Sequence, residues 1–211
     1  MEINKTLSGA KFGILGDSYS TFRGLIPEGN SAYYPLPDMV DDVLQVEHTW
    51  WHLLMTKYNW QLVINDSWSG ATVCTHTRDG QPPISSFTQR ARRSFSGEQK
   101  MDLIFLFGCT NDSWLDRVVG EVKFADRTEE DLQQVLPAYA DCLEYLTAQN
   151  PDATVVAVVN TGLKPEIVAG MAAAAEHYGA VLVNLADIDK QHGHPSALGM
   201  RQIAQQIEAK L

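Results

Sequence analysis

The chain has few cysteines, and their arrangement excludes two classes of protein. Its three cysteines, Cys74, Cys109 and Cys142, are odd in number and show no CxxC spacing. A disulfide framework and a zinc site built on thiolates are therefore not expected. Cys109 follows the apolar segment 101–107, and we interpret it as a small buried residue.

Positive charge is also in short supply. The 211 residues include 16 Lys and Arg against 26 Asp and Glu, which gives a formal net charge of −10. This balance disfavours nucleic acids and anionic membranes as partners, because both are bound through clusters of basic residues. The cluster of Arg90, Arg92 and Arg93 has the charge to hold a single anion, but we interpret it as a solvated helix face.

Long apolar segments are absent. No run approaches the length of a membrane span, and no basic segment followed by an apolar one opens the chain. We therefore expect a soluble, cytoplasmic protein without membrane insertion; an exported protein whose signal has been removed would look the same. A hydrophobic fraction of 45% and a charged fraction of 20% are typical of a folded globule, and we expect one domain over residues 1–211. No heptad pattern indicates an oligomeric state.

Five short apolar segments alternate with helical or irregular stretches. They are mostly continuous rather than alternating, as in strands that are covered on both faces. The predicted strands are 11–15, 60–64, 101–107, 154–159 and 180–185. The predicted helices are 49–58, 129–148, 165–178 and 196–211. This alternation predicts an α/β fold, with a parallel sheet between two layers of helices.

Two predicted loops, 21–47 and 74–88, are unusually long. Long loops in compact domains are often functional, and ligands of open α/β sheets bind beyond the carboxyl ends of the strands. Three aromatic residues, Tyr33, Tyr34 and Trp68, are therefore candidates for substrate-binding pocket walls. Anchoring of the loop on the core is an equally good interpretation of each of them.

Polar and small residues follow four of the predicted strands: Ser18, Gly70, Asn111 and His194. In a parallel sheet these strand ends meet at one edge. A serine nucleophile and a histidine base are the pair that acyl transfer requires. The amide of Asn111 and the backbone N–H groups of Ser18 and Gly70 are suitable donors to an oxyanion.

These residues resemble the SGNH/GDSL hydrolases. The motifs, in the order of that family, are Gly16-Asp17-Ser18, Gly70, Gly108-Cys109-Thr110-Asn111-Asp112 and His194-Pro195. The resemblance implies a flavodoxin-like three-layer α/β/α sandwich with a five-stranded parallel sheet. It also implies ester hydrolysis through an acyl-enzyme, without metal or cofactor. The segment 65–70 and the pair Trp50-Trp51 are similar to bacterial acylhydrolases often linked to carbohydrate esters.

The residue that orients the histidine departs from the family pattern, which has an aspartate three positions before it. Gln191 occupies that position relative to His194. We predict that Asp189 orients His194, with Asp187 as the substitute; a Ser–His dyad assisted by a backbone carbonyl is a further possibility. His192 is followed by glycine rather than proline, and its role is left open. The pattern His192-Gly-His194 is too sparse to indicate a metal site.

The resulting prediction is a serine esterase that removes a short acyl group, with acetylated carbohydrate as the candidate substrate. Ser18, Asp189 and His194 are its catalytic residues, and Trp114 joins the aromatic residues as a pocket wall. Two alternatives remain. One is a thioesterase or lysophospholipase with a preference for longer acyl chains; the other is a carbohydrate-binding protein in which the serine is inert.

Overall fold

A five-stranded parallel sheet runs through the centre of the protein. The computed structural model describes residues 7–36 and 42–211. The strands lie in the order β2-β1-β3-β4-β5, and all four pairings are parallel. Their bounds are β1 Lys11–Gly16, β2 Gln61–Ser67, β3 Leu103–Gly108, β4 Thr154–Val159 and β5 Val181–Asn184. The predicted fold class is confirmed.

Helices cover both faces of this sheet. Their bounds are α1 Trp50–Tyr58, α2 Phe87–Ser94, α3 Thr110–Trp114, α4 Val135–Gln149, α5 Pro165–His177 and α6 Ala197–Glu208. Side chains from α2, α4 and α5 share one buried cluster. Side chains from α1 and α6 share the other. The result is the three-layer α/β/α arrangement.

The position of β3 at the centre of the sheet explains why its sequence is apolar throughout. Successive side chains of a strand point to opposite faces of the sheet. Leu103, Phe105 and Phe107 enter the cluster of α1 and α6. Ile104 and Leu106 enter the cluster on the other face. Because both faces are covered, every residue of β3 is buried.

Three differences from the predicted element boundaries bear on the site and its surroundings. Strand β2 continues to Ser67, so the polar segment Asn65-Asp66-Ser67 belongs to the strand rather than to the loop after it. Helix α2 begins at Phe87, inside the predicted loop 74–88. Helix α4 begins at Val135 rather than at 129, and a short 3₁₀ turn, Asp131–Gln133, precedes it.

The interpretation of the arginine cluster as a solvated face is wrong for Arg90. Arg90 on α2 is fully buried, and its Nε donates to the carbonyl oxygen of Ser85 at 2.8 Å. Arg93 Nη2 lies 2.5 Å from Oδ1 of the buried carboxylate Asp66. Arg90 Nη1 lies 3.7 Å from the same oxygen. A charge contributed by β2 therefore compensates the buried Arg90, whereas Arg92 and Arg93 are exposed.

The long loop after β1 is described in part. Residues 37–41 of the predicted loop 21–47 lie outside the described residues. Within them, the loop returns to the sheet through Asn30, whose Nδ2 donates to Asp66 Oδ1 at 2.9 Å and to the carbonyl oxygen of Ser67 at 3.0 Å. None of the helices in the described ranges is long and apolar enough to cross a membrane.

A small antiparallel hairpin follows β5 and lies at the edge of the sheet where the parallel strands end. It consists of β6 (Lys190–Gln191) and β7 (His194–Pro195). Helix α6 begins directly after it. The hairpin therefore brings the last predicted site residue, His194, to the same edge as the ends of β1, β2 and β3.

Candidate active site

The turn after β1 holds Ser18 at the start of a short 3₁₀ segment, Ser18–Ser20. Asp17 caps this segment: its Oδ1 accepts from the backbone N–H of Tyr19 at 3.0 Å. Gly16 is required just before it, because a Cβ there would lie 2.5 Å from Ser67 Oγ and 2.9 Å from the Cβ of Ser20. The nucleophile turn is thus packed directly against the end of β2.

Side chains from α1 and β2 brace the same turn. The carbonyl oxygen of Ser20 accepts from Trp51 Nε1 at 3.1 Å and from Asn65 Nδ2 at 2.9 Å. Trp50 Nε1 donates to Ser20 Oγ at 3.2 Å. The tryptophan pair and the polar end of β2 therefore fix the backbone two residues beyond Ser18.

His194 faces Ser18 from the hairpin. Its Nε2 lies 2.9 Å from Ser18 Oγ, and its Nδ1 lies 3.3 Å from the carbonyl oxygen of His192. A carbonyl only accepts, so this contact places the proton of a neutral imidazole on Nδ1 and leaves Nε2 to accept from the serine hydroxyl.

The loop of the hairpin explains how the carbonyl of His192 reaches the ring. The two loop residues, His192 and Gly193, have φ of 49° and 80°. Two successive residues with positive φ are typical of a type I′ turn, which joins two-residue hairpins. The turn thereby brings the carbonyl group of His192 close to the side chain of His194, the residue just after the turn.

Aromatic rings surround the imidazole. Tyr33 stacks on His194 with ring centroids 3.5 Å apart and planes 13° from parallel. Tyr19 and Trp114 lie 5.4 and 5.6 Å away, centroid to centroid. Tyr19 also donates from its hydroxyl to the carbonyl oxygen of Gly193 at 2.6 Å, which ties the hairpin to the nucleophile turn.

This burial lowers the pKa of His194 to about 4. Loss of solvent disfavours the charged imidazolium, and the nearby Lys190 ammonium adds a smaller repulsion. The hydrogen bond to the His192 carbonyl opposes these effects only in part. His194 is therefore neutral at pH 7, which is the form that can accept a proton.

Asn111 and Gly70 lie on neighbouring segments of the same edge. Asn111 belongs to α3, which starts immediately after Cys109, a buried residue at φ 68°. Its Nδ2 donates to the carbonyl oxygen of Ala71 at 3.0 Å, next to Gly70. Asp112 accepts from the backbone N–H groups of Val73 and Cys74 at 2.9 to 3.2 Å, as expected of a bracing carboxylate. These bonds tie α3 to the loop after β2.

Three N–H groups at this edge remain available to a ligand. Among the described residues, none accepts a hydrogen bond from the backbone N–H of Ser18 or of Gly70, or from the second N–H of the Asn111 amide. Gly70 has φ 81°, a conformation that other residues adopt only under strain. An oxyanion hole is formed by N–H donors of this kind.

A family comparison agrees with this geometry. The family model described as GDSL-like Lipase/Acylhydrolase matches residues 10–211. The chain belongs to this family. It is accordingly a hydrolase that acts on esters. No curated protein matches the chain.

Solved structures extend the comparison. A GDSL-like lipase structure from Bacteroides ovatus is 38% identical, with 95% of this chain and 96% of that one covered and a TM-score of 0.87. One from Bacteroides uniformis is 36% identical, with 97% of each chain covered and a TM-score of 0.88. The acetyl xylan esterase Est2A from Butyrivibrio proteoclasticus is 16% identical, with 95% and 62% covered and a TM-score of 0.59, and shares the fold.

The structure corrects the prediction for the residue that orients His194. The carboxylate of Asp189 accepts at Oδ2 from Ser196 Oγ, at the start of α6, and Asp189 forms no hydrogen bond with His194. Asp187 is exposed and has φ 51°, and it makes no such contact either. The alternative of a Ser–His dyad assisted by a backbone carbonyl matches the geometry of this GDSL-like chain.

Two of the four predicted pocket walls are misplaced. Tyr34 is fully buried, and its hydroxyl donates to the carbonyl oxygen of Pro195 at 2.7 Å, so it anchors the hairpin. Trp68 is 7% exposed and belongs to the core cluster of α2, α4 and α5. Tyr33 and Trp114 border His194, and Trp114 is 50% exposed. These two lie beside His194, and their role as pocket walls stays a prediction.

Two further residues of the site were not singled out in the sequence. Tyr19 and Gly193 connect the nucleophile turn to the hairpin through one hydrogen bond. The signal was the pair His192-Gly193 between two short polar segments, which is a hairpin pattern. Within the described residues, no group of three or more His, Cys, Asp or Glu side chains is arranged to hold a metal ion.

Proposed function

We propose that the protein is a serine esterase that removes short acyl groups, with acetyl esters of carbohydrates as its substrate class. Ser18 is the nucleophile and His194 the general base. The observation that carries this proposal is the 2.9 Å contact between His194 Nε2 and Ser18 Oγ, on a histidine that is neutral at pH 7.

The reaction follows from this contact in two halves. Ser18 Oγ attacks the ester carbonyl carbon while its proton moves to His194 Nε2. The bond to the alcohol oxygen then breaks, and His194 gives that oxygen the proton. Water attacks the acyl-enzyme with His194 again accepting a proton, and the same proton returns to Ser18 as the acid leaves.

The negative charge that develops on the carbonyl oxygen is stabilised by the free N–H groups of Ser18, Gly70 and Asn111. Preorganised donors of this kind each contribute roughly 10²- to 10³-fold to turnover. They are held in place before substrate arrives, because Asn111 is bonded to Ala71 and Ser18 is fixed by the capped turn.

A small acyl group suits the surroundings of the nucleophile. Ser18 is 1% exposed, and the rings of Tyr33 and Trp114 crowd the imidazole opposite it. A groove of about 490 Å³ runs between α1 and α6, but none of the proposed catalytic residues lines it. A carbohydrate alcohol is supported by the shared fold of the acetyl xylan esterase and by the exposed face of Trp114, a side chain suited to stacking on a sugar.

The test is a series of 4-nitrophenyl esters, from acetate to octanoate, offered to the wild type, Ser18→Ala and Ser8→Ala. Ser8 is exposed before β1, so its substitution is a matched control. We expect activity that peaks at acetate and falls by about 10⁴-fold or more in Ser18→Ala alone. Release of acetate from acetylated xylan then tests the carbohydrate part.

The other outcomes decide between the alternatives. A peak at long chains would replace the short-acyl proposal with a lipid or thioester hydrolase. Full activity in Ser18→Ala would disprove the nucleophile. If no ester is hydrolysed, labelling with a fluorophosphonate distinguishes an activated Ser18 with a selective pocket from an inert serine in a binding protein.

A further inference from the structure

An exposed arginine, Arg78, lies beside the proposed oxyanion hole. Arg78 Nη1 and Cδ lie 3.4 and 3.5 Å from the position that a Cβ would take on Gly70. The side chain is exposed, and no carboxylate of the described residues pairs with it. Four of the eight arginines, Arg90, Arg92, Arg93 and Arg127, pair with a carboxylate among the described residues, and Arg78 is one of the four that do not.

The backbone that carries Arg78 is held firmly. It opens a tight turn in which the backbone N–H of Gln81 donates to the carbonyl oxygen of Arg78 at 2.9 Å. Gln81 Nε2 donates to the carbonyl oxygen of Ser69 at 2.7 Å, so the turn is attached to the residue before Gly70. On the other side, Arg117 Nη2 donates to the carbonyl oxygen of Thr77 at 2.8 Å.

A second cation lies on the hairpin of His194. Among the described residues, Lys190 likewise pairs with no carboxylate; its Nζ lies 3.4 Å from Asn160 Oδ1 and 3.3 Å from the carbonyl oxygen of Thr161. The site is therefore flanked by the guanidinium of Arg78 and the ammonium of Lys190, whereas the protein as a whole is acidic.

We propose that Arg78 binds a carboxylate of the substrate, so that the preferred ester carries a negative charge close to the bond that is cleaved. This inference rests on the proposed function, because it uses Gly70 as the place of the ester carbonyl. A guanidinium offers paired N–H donors that match the two oxygens of a carboxylate. The carboxylate belongs either to the acyl half, as in a dicarboxylic half-ester, or to the alcohol half, as in an acetylated uronic acid.

The experiment compares charged and neutral substrates in matched pairs. For the acyl half, the pair is the 4-nitrophenyl half-ester of succinate and 4-nitrophenyl butyrate. For the alcohol half, it is an O-acetylated methyl glucuronoside and the corresponding glucoside. The variants are Arg78→Gln, Arg78→Lys and, as a control, Arg201→Gln. Arg201 is exposed on α6 and lines the remote groove between α1 and α6.

We expect Arg78→Gln to lower the ratio of kcat/KM for the charged member over the neutral one by roughly 10- to 100-fold, in one of the two pairs. Arg78→Lys keeps the charge without the paired donors and should fall in between. Arg201→Gln should leave the ratio unchanged. The pair that responds identifies the half of the substrate that carries the carboxylate, and a ratio unaffected by Arg78→Gln in both pairs would overturn the proposal.

A binding measurement keeps this test separate from the proposed mechanism. Calorimetric titration of the Ser18→Ala variant with succinate and with glucuronate should show binding of one of them, weakened by adding Arg78→Gln. If Ser18→Ala is fully active, the proposed function fails while the charge ratio still reports on Arg78. If Ser18→Ala is inactive, and Arg78→Gln changes neither the ratio nor the binding, only the inference about Arg78 fails.

Discussion

Lowering the pH should leave ester hydrolysis almost unchanged down to about pH 5, because burial lowers the pKa of His194 to about 4. The base acts in its neutral form, which is present above its pKa. A base with a pKa of about 4 is ~90% neutral at pH 5, whereas a histidine with the ordinary pKa of about 6.5 is only ~3% neutral. The two cases therefore differ by about 30-fold in active enzyme at this pH.

The assay is kcat/KM for 4-nitrophenyl acetate between about pH 3.5 and pH 8, with the released nitrophenol read after an alkaline quench. This parameter reports the ionisation of the free enzyme rather than of the substrate complex. Since acetate esters carry no charge, the substrate itself does not titrate. The acid limb of the profile should have its midpoint near pH 4.

Two neighbouring titratable groups must be distinguished from His194 as the origin of the acid limb of the profile. Burial raises the pKa of Asp17 to about 6, and this carboxyl is adjacent to Ser18. His192 carries a second imidazole beside the site. The profiles of Asp17→Asn and His192→Asn separate these contributions, and asparagine tolerates the positive φ of residue 192. A midpoint at about pH 6.5 that persists in both variants would refute the reasoning.

Stability is a poorer readout of the same group. Between pH 6.5 and about 4 the unfolded chain binds more protons at His194 than the folded one, so the free energy of unfolding falls as the pH is lowered. Asp17 acts in the opposite sense, because its raised pKa makes the folded chain bind more protons between about pH 6 and 3.8. The two contributions cancel in part, which is why the rate profile is the better measurement.

Three substitutions test the remaining assignments. Asp189→Asn should keep kcat/KM for the acetate ester within about threefold of wild type, and a loss near the 10⁴-fold seen for a triad aspartate would restore it as the orienting residue. Asn111→Ala should lower kcat by roughly 10²–10³, and a change in KM alone would remove it from the oxyanion hole. Asp66→Asn should lower the urea unfolding free energy by about 3–5 kcal/mol, because Arg90 then keeps a buried charge without its partner. Asp152→Asn, which breaks an exposed pair with Lys100, is its control, and equal effects would contradict the role of burial.

The meeting of Ser18, Gly70 and Asn111 at one edge of the sheet could be predicted from the sequence, because the topology of parallel strands places them there. Parallel strands bring their carboxyl ends to one edge, so the residues after β1, β2 and β3 meet there whatever the loops between them do. The continuous apolar runs of β1, β3 and β4 are strong signals for strands covered on both faces. This topology was enough to predict that Ser18, Gly70 and Asn111 lie at the same edge of the sheet.

The orienting group could not be found in the same way, because it depends on backbone conformation. Position 189 offered an aspartate near the histidine, and sequence spacing favours a side chain over a carbonyl. In the structure, the hydroxyl of Ser196 at the N-terminus of α6 donates to the carboxylate of Asp189, while two residues with positive φ turn the carbonyl of His192 toward the ring. Neither event is encoded by residue type alone.

The prediction of a solvated helix face was wrong at Arg90 for a related reason. A run of charged residues on a short helix ordinarily predicts a solvated face. Asp66, which neutralises Arg90 and Arg93, lies on β2, more than twenty positions away in the chain. Periodicity identifies which residues share a helix face, but it does not identify a charge on another element that compensates them.

No carboxylate of the described residues is hydrogen-bonded to His194, and this affects the turnover that we expect. In a triad, an aspartate both orients the imidazole and stabilises the imidazolium that forms during the reaction. Here the orientation is supplied by the His192 carbonyl, the stacked ring of Tyr33 and the bond from Tyr19 to Gly193. Among the described residues, the charge is stabilised by the carbonyl dipole of His192 rather than by a carboxylate, and the nearby Lys190 opposes it. We therefore expect a weak but well-aligned base: modest turnover at neutral pH, retained in acid where a triad histidine would already be protonated.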